Sequence, residues 1–482
     1  MTGSLASVTR LARTAPDRVL IDAPAEGRVV RAAALAEDAR VMAAALRGQG
    51  VSPDHLVLSL VGNRTGFFPL LLACLEIGSA LMPIDRGTPL AEVHQLARRF
   101  GGTVLVLPAD LATGPAAVRL PHDLALQHLE DVEPQPWRYR GAALLKLTSG
   151  STGLPKATFT TAAQIEADGR AIIEAMDIRP DDWQLGFIPL SHSYGLGNLV
   201  MPLLLQGTPL VLREAFVPAH VRADAERVGA RVFAGVPFMY EHLLTHLPDD
   251  GWPASLETLI SAGAPLAADT HAQFHARFGR AIHSFYGASE AGGIAYDDSP
   301  RAGEPAVGRP MPGVTVTLRP EEGITAGGRI HVAGPAVSRG YAGNEEADAF
   351  IDGGFLTGDL GRFDADGRLH LEGRVSGFIN VAGRKVQPDE VERVLRTMPL
   401  VADVRVMGAP DERRGEQLVA CIVPRGDLHA LAIRQFCAER LAPHKIPRQF
   451  VFVDAIPVDE RGKTNRRALG TLVERHLKGE PV

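Results

Sequence analysis

Thr148-Ser149-Gly150-Ser151-Thr152-Gly153-Leu154-Pro155-Lys156 follows a short, mostly apolar run from Ala142 to Leu147. Gly150 and Gly153 allow a tight turn in which successive backbone N–H groups aim at one anion, and the hydroxyls and the lysine add donors around it. That chemistry suits phosphate. The order differs from a Walker loop: Lys156 stands three residues past Gly153, Pro155 lies between them, and no hydroxyl directly follows the lysine. A surface turn rich in Ser, Thr and Gly has the same composition, so the rest of the chain must discriminate.

The chain has 482 residues, beyond the roughly 250–300 at which single cores stop growing, so two or more domains are expected. Hydrophobic residues make up 45% and charged residues 22%, the balance of a folded protein rather than of disorder or a coiled coil. A formal charge of -6 argues against nucleic acid as a partner. Cys74, Cys421 and Cys437 are odd in number and scattered, which gives neither a disulfide framework nor a metal spacing. The apolar stretch Phe67 to Leu75 is stopped by Glu76, far short of the roughly 20 residues of a membrane helix. Arg10 and Arg13 are followed by no apolar core, so no signal peptide is read. A cytoplasmic location without a membrane span is the expectation.

Short β-rich runs at Leu56–Val61, Thr103–Leu107, Pro209–Leu212, Arg231–Val236, Thr258–Ser261 and Ile282–Phe285 alternate with helical patterns. That alternation predicts a layered α/β domain. A helix after Leu60 would bury Phe68, Leu71, Leu72 and Leu75 as core packing. Near Gly373-Arg374-Val375-Ser376-Gly377 a strand-like run ends in small residues, a candidate boundary. The fold expected is α/β: a large N-terminal layered α/β domain over 1–375 and a small, mobile C-terminal α+β domain over 376–482. The second would open with a helix started by Pro388, with Asp389 and Glu390 at its positive end and Val391, Val394 and Leu395 on one face.

Further clusters follow the opening loop in order. Pro189-Leu190-Ser191-His192-Ser193-Tyr194-Gly195-Leu196 sets an imidazole and a phenol among small residues; a packed or surface histidine is the bland alternative. Ser261-Ala262-Gly263-Ala264-Pro265-Leu266 follows an apolar strand, where small residues let a flat ring approach the backbone, or simply turn the chain into a helix at Pro265. Ser284-Phe285-Tyr286-Gly287-Ala288-Ser289-Glu290 comes next, then Thr357-Gly358-Asp359 and Arg374, Gly408-Ala409-Pro410-Asp411, His444-Lys445-Ile446-Pro447-Arg448, and Pro457 through Gly462-Lys463-Thr464-Asn465-Arg466.

Taken in this order, these motifs resemble those of the adenylate-forming superfamily: acyl-CoA synthetases, peptide-synthetase adenylation domains and luciferases. The resemblance implies a role for each. Thr148, Ser149, Gly150, Ser151, Thr152, Gly153 and Lys156 would hold the β and γ phosphates of ATP, and His192 would lie by the carboxylate to be activated. Ala262, Gly263, Ala264, Pro265, Ser284, Phe285, Tyr286, Gly287, Ala288 and Ser289 would line the nucleotide site. Glu290 with Thr148 would bind Mg²⁺, Asp359 and Arg374 would contact the ribose, and Lys463 would bridge the carboxylate and the α-phosphate. Ser289 replaces the usual threonine, Ala157 a common glycine, Ala162 a common histidine, and Asn380 a frequent lysine; Ser376 stands where the hinge is often charged.

Two anions repel, so joining a carboxylate to the α-phosphate requires charge neutralisation and alignment. The expected product is acyl-AMP, then a thioester as a thiol attacks after the small domain rotates. From Trp183 to Arg213 there is no Asp or Glu to pair an α-ammonium, and a buried unpaired ammonium is costly. That favours an aryl or aliphatic carboxylic acid. CoA is the first acceptor; a separate carrier protein or an amine is the alternative, and a non-catalytic nucleotide-binding scaffold is the reading of another class. A monomer and a homodimer both fit.

Overall fold

The computed structural model describes residues 3–112, 117–135, 138–148, 156–249, 251–300, 306–321, 324, 327–342, 347–375, 379–381, 384–411, 415–441, 445–458 and 464–480. By internal packing the chain divides into two compact units. The first comprises Met1–Thr317, His331–Thr357 and Ala365–Leu369, and the second Leu318–Ile330, Gly358–Asp364 and His370–Val482. This partition groups Asp359 and Arg374 with the C-terminal residues.

Two large sheets build the first unit among the described residues. One has nine strands, with Gln184–Gly186, Leu210–Leu212, Val232–Gly235, Thr258–Ser261 and Ile282–Ala288 parallel at its centre. The other has seven, with Leu56–Ser59, Ala80–Pro83 and Leu144–Thr148 parallel and Lys156–Thr160 antiparallel at one edge. The parallel strands are apolar runs because both of their faces are covered. Each run expected to be β-rich contains a strand, and the last extends three residues further, to Ala288.

Helix Phe67–Ile77 buries Phe68, Leu71 and Leu72 as expected, with Leu75 packed at the margin of the same core. Pro265 does not itself start a helix: that helix runs Ala268–Phe278. The intervening residues carry the chain away from the strand end with Gly263 at φ 85, a conformation glycine adopts without a Cβ penalty.

In the second unit Gly415–Pro424 pairs with Val401–Asp411 and with Gln449–Phe452. Helix Pro388–Arg396 begins with proline in its first turn and buries Val391 and Leu395, while Val394 packs half-buried. Lys445 donates to both carboxylate oxygens of Glu390 at 2.6 Å, tying the segment before Gln449 to this helix. Among the described residues no helix is long and apolar enough to cross a membrane.

Candidate active site

Strand Leu144–Thr148 alternates its faces: Leu145 and Leu147 pack into one hydrophobic cluster and Leu144 into another. Lys146 and Thr148 therefore share the face of Leu144. The antiparallel register sets Lys146 opposite Thr158 and Thr148 opposite Lys156, so Thr158, Thr160 and Lys156 extend the same polar surface. Thr148 and Lys156 are thus paired at the two ends of the segment expected to hold phosphate. Ser149, Gly150, Ser151, Thr152 and Gly153 lie outside the described residues.

Glu290 sits in the turn between strands Ile282–Ala288 and Gly292–Tyr296. Its backbone carbonyl accepts from Ser338 N–H at 2.7 Å, and the Ser338 hydroxyl lies 3.1 Å from Thr160 Oγ1. Tyr341, bridged to Thr158, donates its hydroxyl proton to Glu290 Oε1 at 2.7 Å. The Lys156 ammonium lies 5.6 Å from the Tyr341 ring centroid, within cation–π range. One aromatic side chain thereby touches both the expected phosphate lysine and the expected metal carboxylate.

The motif expected to form the substrate pocket approaches the same turn, with Ser193 Oγ donating to Ser289 Oγ at 2.9 Å. His192 Nε2 stands 3.6 Å from Asp85 Oδ2, both about one-third exposed, an ion pair when the imidazole is protonated. Tyr194 packs tilted against Phe285, ring centroids 5.8 Å apart, and shares its hydroxyl proton between the carbonyls of Gly235 and Ile260, at 3.1 and 3.2 Å. Burial pushes the Tyr194 phenol well above its ordinary value, and its proton is committed to the two carbonyls.

Ala262, Gly263, Ala264 and Pro265 lie at the carboxyl end of the parallel strand Thr258–Ser261, Ala262 buried and the other three exposed. Such ends are where open α/β sheets take ligands. On the neighbouring strand Phe285 and Tyr286 are buried, Ser284 and Ala288 half-buried and Gly287 exposed. In the second unit Arg374 Nε donates to Asp359 Oδ1 at 2.8 Å, with Asp359 16% and Arg374 67% exposed. The two expected ribose groups are brought together as an ion pair. Lys463 lies outside the described residues.

Sequence reasoning missed Tyr341, Asp85, Lys146 and Asp168. Lys146 left a signal, an ammonium in an otherwise apolar strand. Asp168 left another: it stands between Ile165 and Ile172 on the buried side of helix Ala162–Ala175. Tyr341 and Asp85 carried none, because their partners are distant in sequence.

Residues 8–342 match the family described as AMP-binding enzyme, and residues 390–463 match the AMP-binding enzyme C-terminal domain. The chain is 31% identical over 444 residues to feruloyl-CoA synthase of an Amycolatopsis species, covering 88% of this chain and 89% of that one. It superposes on ATP-bound MatB from Rhodopseudomonas palustris with a TM-score of 0.81 at 25% identity, over 97% of this chain and 98% of that one. The amide bond synthetase McbA from Marinactinospora thermotolerans gives a TM-score of 0.81 at 27% identity, over 97% and 99%.

Proposed function

The chain belongs to the AMP-binding enzyme family, and from that premise we propose that it activates a carboxylic acid with ATP and passes the acyl group to CoA. A carboxylate oxygen attacks the α-phosphorus, the bond to the β-phosphate oxygen breaks and pyrophosphate leaves. The CoA sulfur then attacks the acyl carbon of acyl-AMP, and AMP departs as its thiol proton is released. The observation that carries this reading is the Glu290–Tyr341–Lys156 arrangement, a carboxylate and an ammonium held on one polar surface.

The roles follow from charge. Thr148, the 149–153 segment and Lys156 take the β and γ phosphates. Lys463 neutralises charge between the carboxylate and the α-phosphate. Ala262 to Pro265 and Tyr286 take the adenine, Asp359 and Arg374 the ribose, and His192 orients the acid. Glu290 and Thr148 offer a carboxylate and a hydroxyl, hard oxygen donors that suit a Mg²⁺ sharing its shell with phosphate and water. When bound, Mg²⁺ supplies charge neutralisation on the phosphates.

The acid is aryl or aliphatic: the segment from Trp183 to Arg213 carries no carboxylate, and the carboxylates that the fold brings to it are engaged, Asp85 beside His192 and Asp168 on the Gly293 N–H. The 376–482 part acts as a lid that moves between the half-reactions. The reaction belongs in a reducing cytoplasm, which suits three buried free cysteines. A second acceptor reading, a separate carrier protein or an amine, draws on the likeness to the amide bond synthetase.

The test is pyrophosphate release over a panel of aryl, aliphatic and α-amino acids, with the product mass read with CoA, holo carrier protein and amines. Acid-dependent release and a CoA thioester are expected. No acid-dependent release overturns adenylation, a preference for an α-amino acid overturns the acid class, and an amide or a carrier adduct in place of the CoA thioester overturns the acceptor.

A further inference from the structure

Asn63 lies just past strand Leu56–Ser59 of the seven-stranded sheet and is 8% exposed. Its side-chain amide crosses to the nine-stranded sheet. Nδ2 donates to the carbonyls of Ile188 and Arg213, both at 3.0 Å, and Oδ1 accepts the Leu190 N–H at 2.8 Å. Ile188 and Arg213 follow the parallel strands Gln184–Gly186 and Leu210–Leu212. Both amide protons are thus committed to backbone carbonyls and the amide oxygen to a backbone N–H, a pattern that fixes which way the amide points.

Ile188 and Leu190 flank Pro189, whose carbonyl accepts the His192 N–H at 3.3 Å. Gly195 folds against that same carbonyl, so closely that a Cβ on it would lie 2.1 Å from the oxygen. The segment from 188 to 195 therefore has little slack, and a shift at Ile188 or Leu190 is passed on to His192. The imidazole faces Asp85, which follows strand Ala80–Pro83 of the sheet that carries Asn63. Backbone and ring of His192 are both set from the seven-stranded sheet. Glu214 ties the same strand ends at the rim, accepting from Arg64 at 2.9 Å and pairing with Arg86.

We propose that Asn63 is a positioning residue for the acid: it holds the 188–192 segment so that the His192 imidazole meets the carboxylate, a role that rests on the adenylation reading above. Asn63→Asp keeps an acceptor for the Leu190 N–H but turns an oxygen toward two carbonyl oxygens. Asn63→Ala leaves all of these backbone groups without the amide, and buried polar groups left unpaired drive the backbone to rearrange. The hydrogen bonds end on Ile188, Leu190 and Arg213 rather than on Lys156 or Glu290, so the defect falls on the acid and spares MgATP.

The full chain and the variants Asn63→Asp, Asn63→Ala and Leu58→Ala are compared by thermal unfolding and by acid-dependent pyrophosphate exchange, varying the acid at saturating MgATP and MgATP at saturating acid. The acid is whichever of benzoate, cinnamate, hexanoate and octanoate gives the fastest wild-type exchange. Leu58 is fully buried on the strand that leads to Asn63, so its truncation lowers the unfolding midpoint through a cavity without removing a contact to the 188–192 segment. Both Asn63 variants are expected to raise KM for the acid and to lower its kcat/KM about 10- to 100-fold, as misplacement of a reacting group does, with KM for MgATP unmoved. Leu58→Ala is expected to lose stability and keep both KM values. An unchanged acid KM in the Asn63 variants, an equal rise for acid and MgATP, or the same acid defect in Leu58→Ala overturns the inference. If one Asn63 variant does not fold, the other decides; if neither folds, Asn63 is a structural residue and the inference is overturned. A wild-type chain that exchanges with none of these acids overturns the adenylation reading and, with it, the role of Asn63; a wild-type chain that exchanges normally confines any failure to Asn63.

Discussion

The Tyr341 hydroxyl donates to Glu290 Oε1 at 2.7 Å while its ring lies 5.6 Å from the Lys156 ammonium. A carboxylate and an amine expected to face the same triphosphate are thus held by one side chain. Tyr341→Phe keeps the ring and removes the donor. A hydrogen bond to a charged group contributes about 1.5–3 kcal/mol, so kcat/KM for MgATP in pyrophosphate exchange should fall about 10- to 100-fold. Thermal stability should change little. An unchanged kcat/KM would show that the hydroxyl does not support Glu290 in the reaction.

The role proposed for Lys463 separates the two half-reactions. Lys463→Ala should lower adenylation about 10²- to 10³-fold, as loss of one transition-state donor does. Thioester formation from supplied acyl-AMP should survive, since the α-phosphate displacement is then already complete. Pyrophosphate exchange at the wild-type rate would refute the assignment.

Arg368 Nη2 and Asp297 Oδ2 pair at 2.8 Å with side chains 2% and 3% exposed. Removing one partner strands a buried charge. Asp297→Asn should therefore destabilise the protein by about 3–5 kcal/mol, read from the urea midpoint at unchanged m-value. A loss below about 1 kcal/mol, the range of exposed pairs, would mean that the arginine finds solvent instead.

Burial pushes the thiols of Cys74 and Cys421 up to about 12 and that of Cys437 to about 11. A disulfide reagent at mildly alkaline pH should label none of the three in the native state and all of them in denaturant. The linkage has a definite sign. Unfolded thiols lose protons near their ordinary value of 9.0 while folded ones keep theirs, so stability should decline as pH rises above that value. Rapid native labelling would contradict the burial.

On the acid side, burial lowers His271 and His283 from their ordinary 6.5. The unfolded chain then binds more protons below that value, and stability falls as pH drops through it. Urea unfolding between about pH 7 and pH 5 measures the slope, and a flat or rising profile would exclude the effect.

Much of the architecture was readable because its signals are local. The apolar runs around Leu56, Thr258 and Ile282 became strands, and Phe67–Ile77 became the buried helix that its spacing demanded. Pro388 began a helix, as its fixed φ and missing N–H favour. Pro265 did not, because the chain first had to leave the strand end through Gly263 before it could wind. The resemblance put Asp359 and Arg374 at one ribose, but their direct ion pair was not legible, since a turn motif says nothing about which cation comes to face it.

Residue types in order set the chemistry to expect: glycines, hydroxyls and lysines for phosphate, a carboxylate for a metal, and no acid from Trp183 to Arg213 to greet an α-ammonium. Tertiary structure decided which of these groups work together. Asp168, Glu290 and Tyr341 come from a helix, a hairpin turn and a bridge residue, brought to one hairpin by sheet pairing and by glycines that admit close packing. Periodicity reports only which face of an element is apolar. Which buried charge meets which is settled by the desolvation that the assembled fold imposes, and that exists only once the sheets have packed.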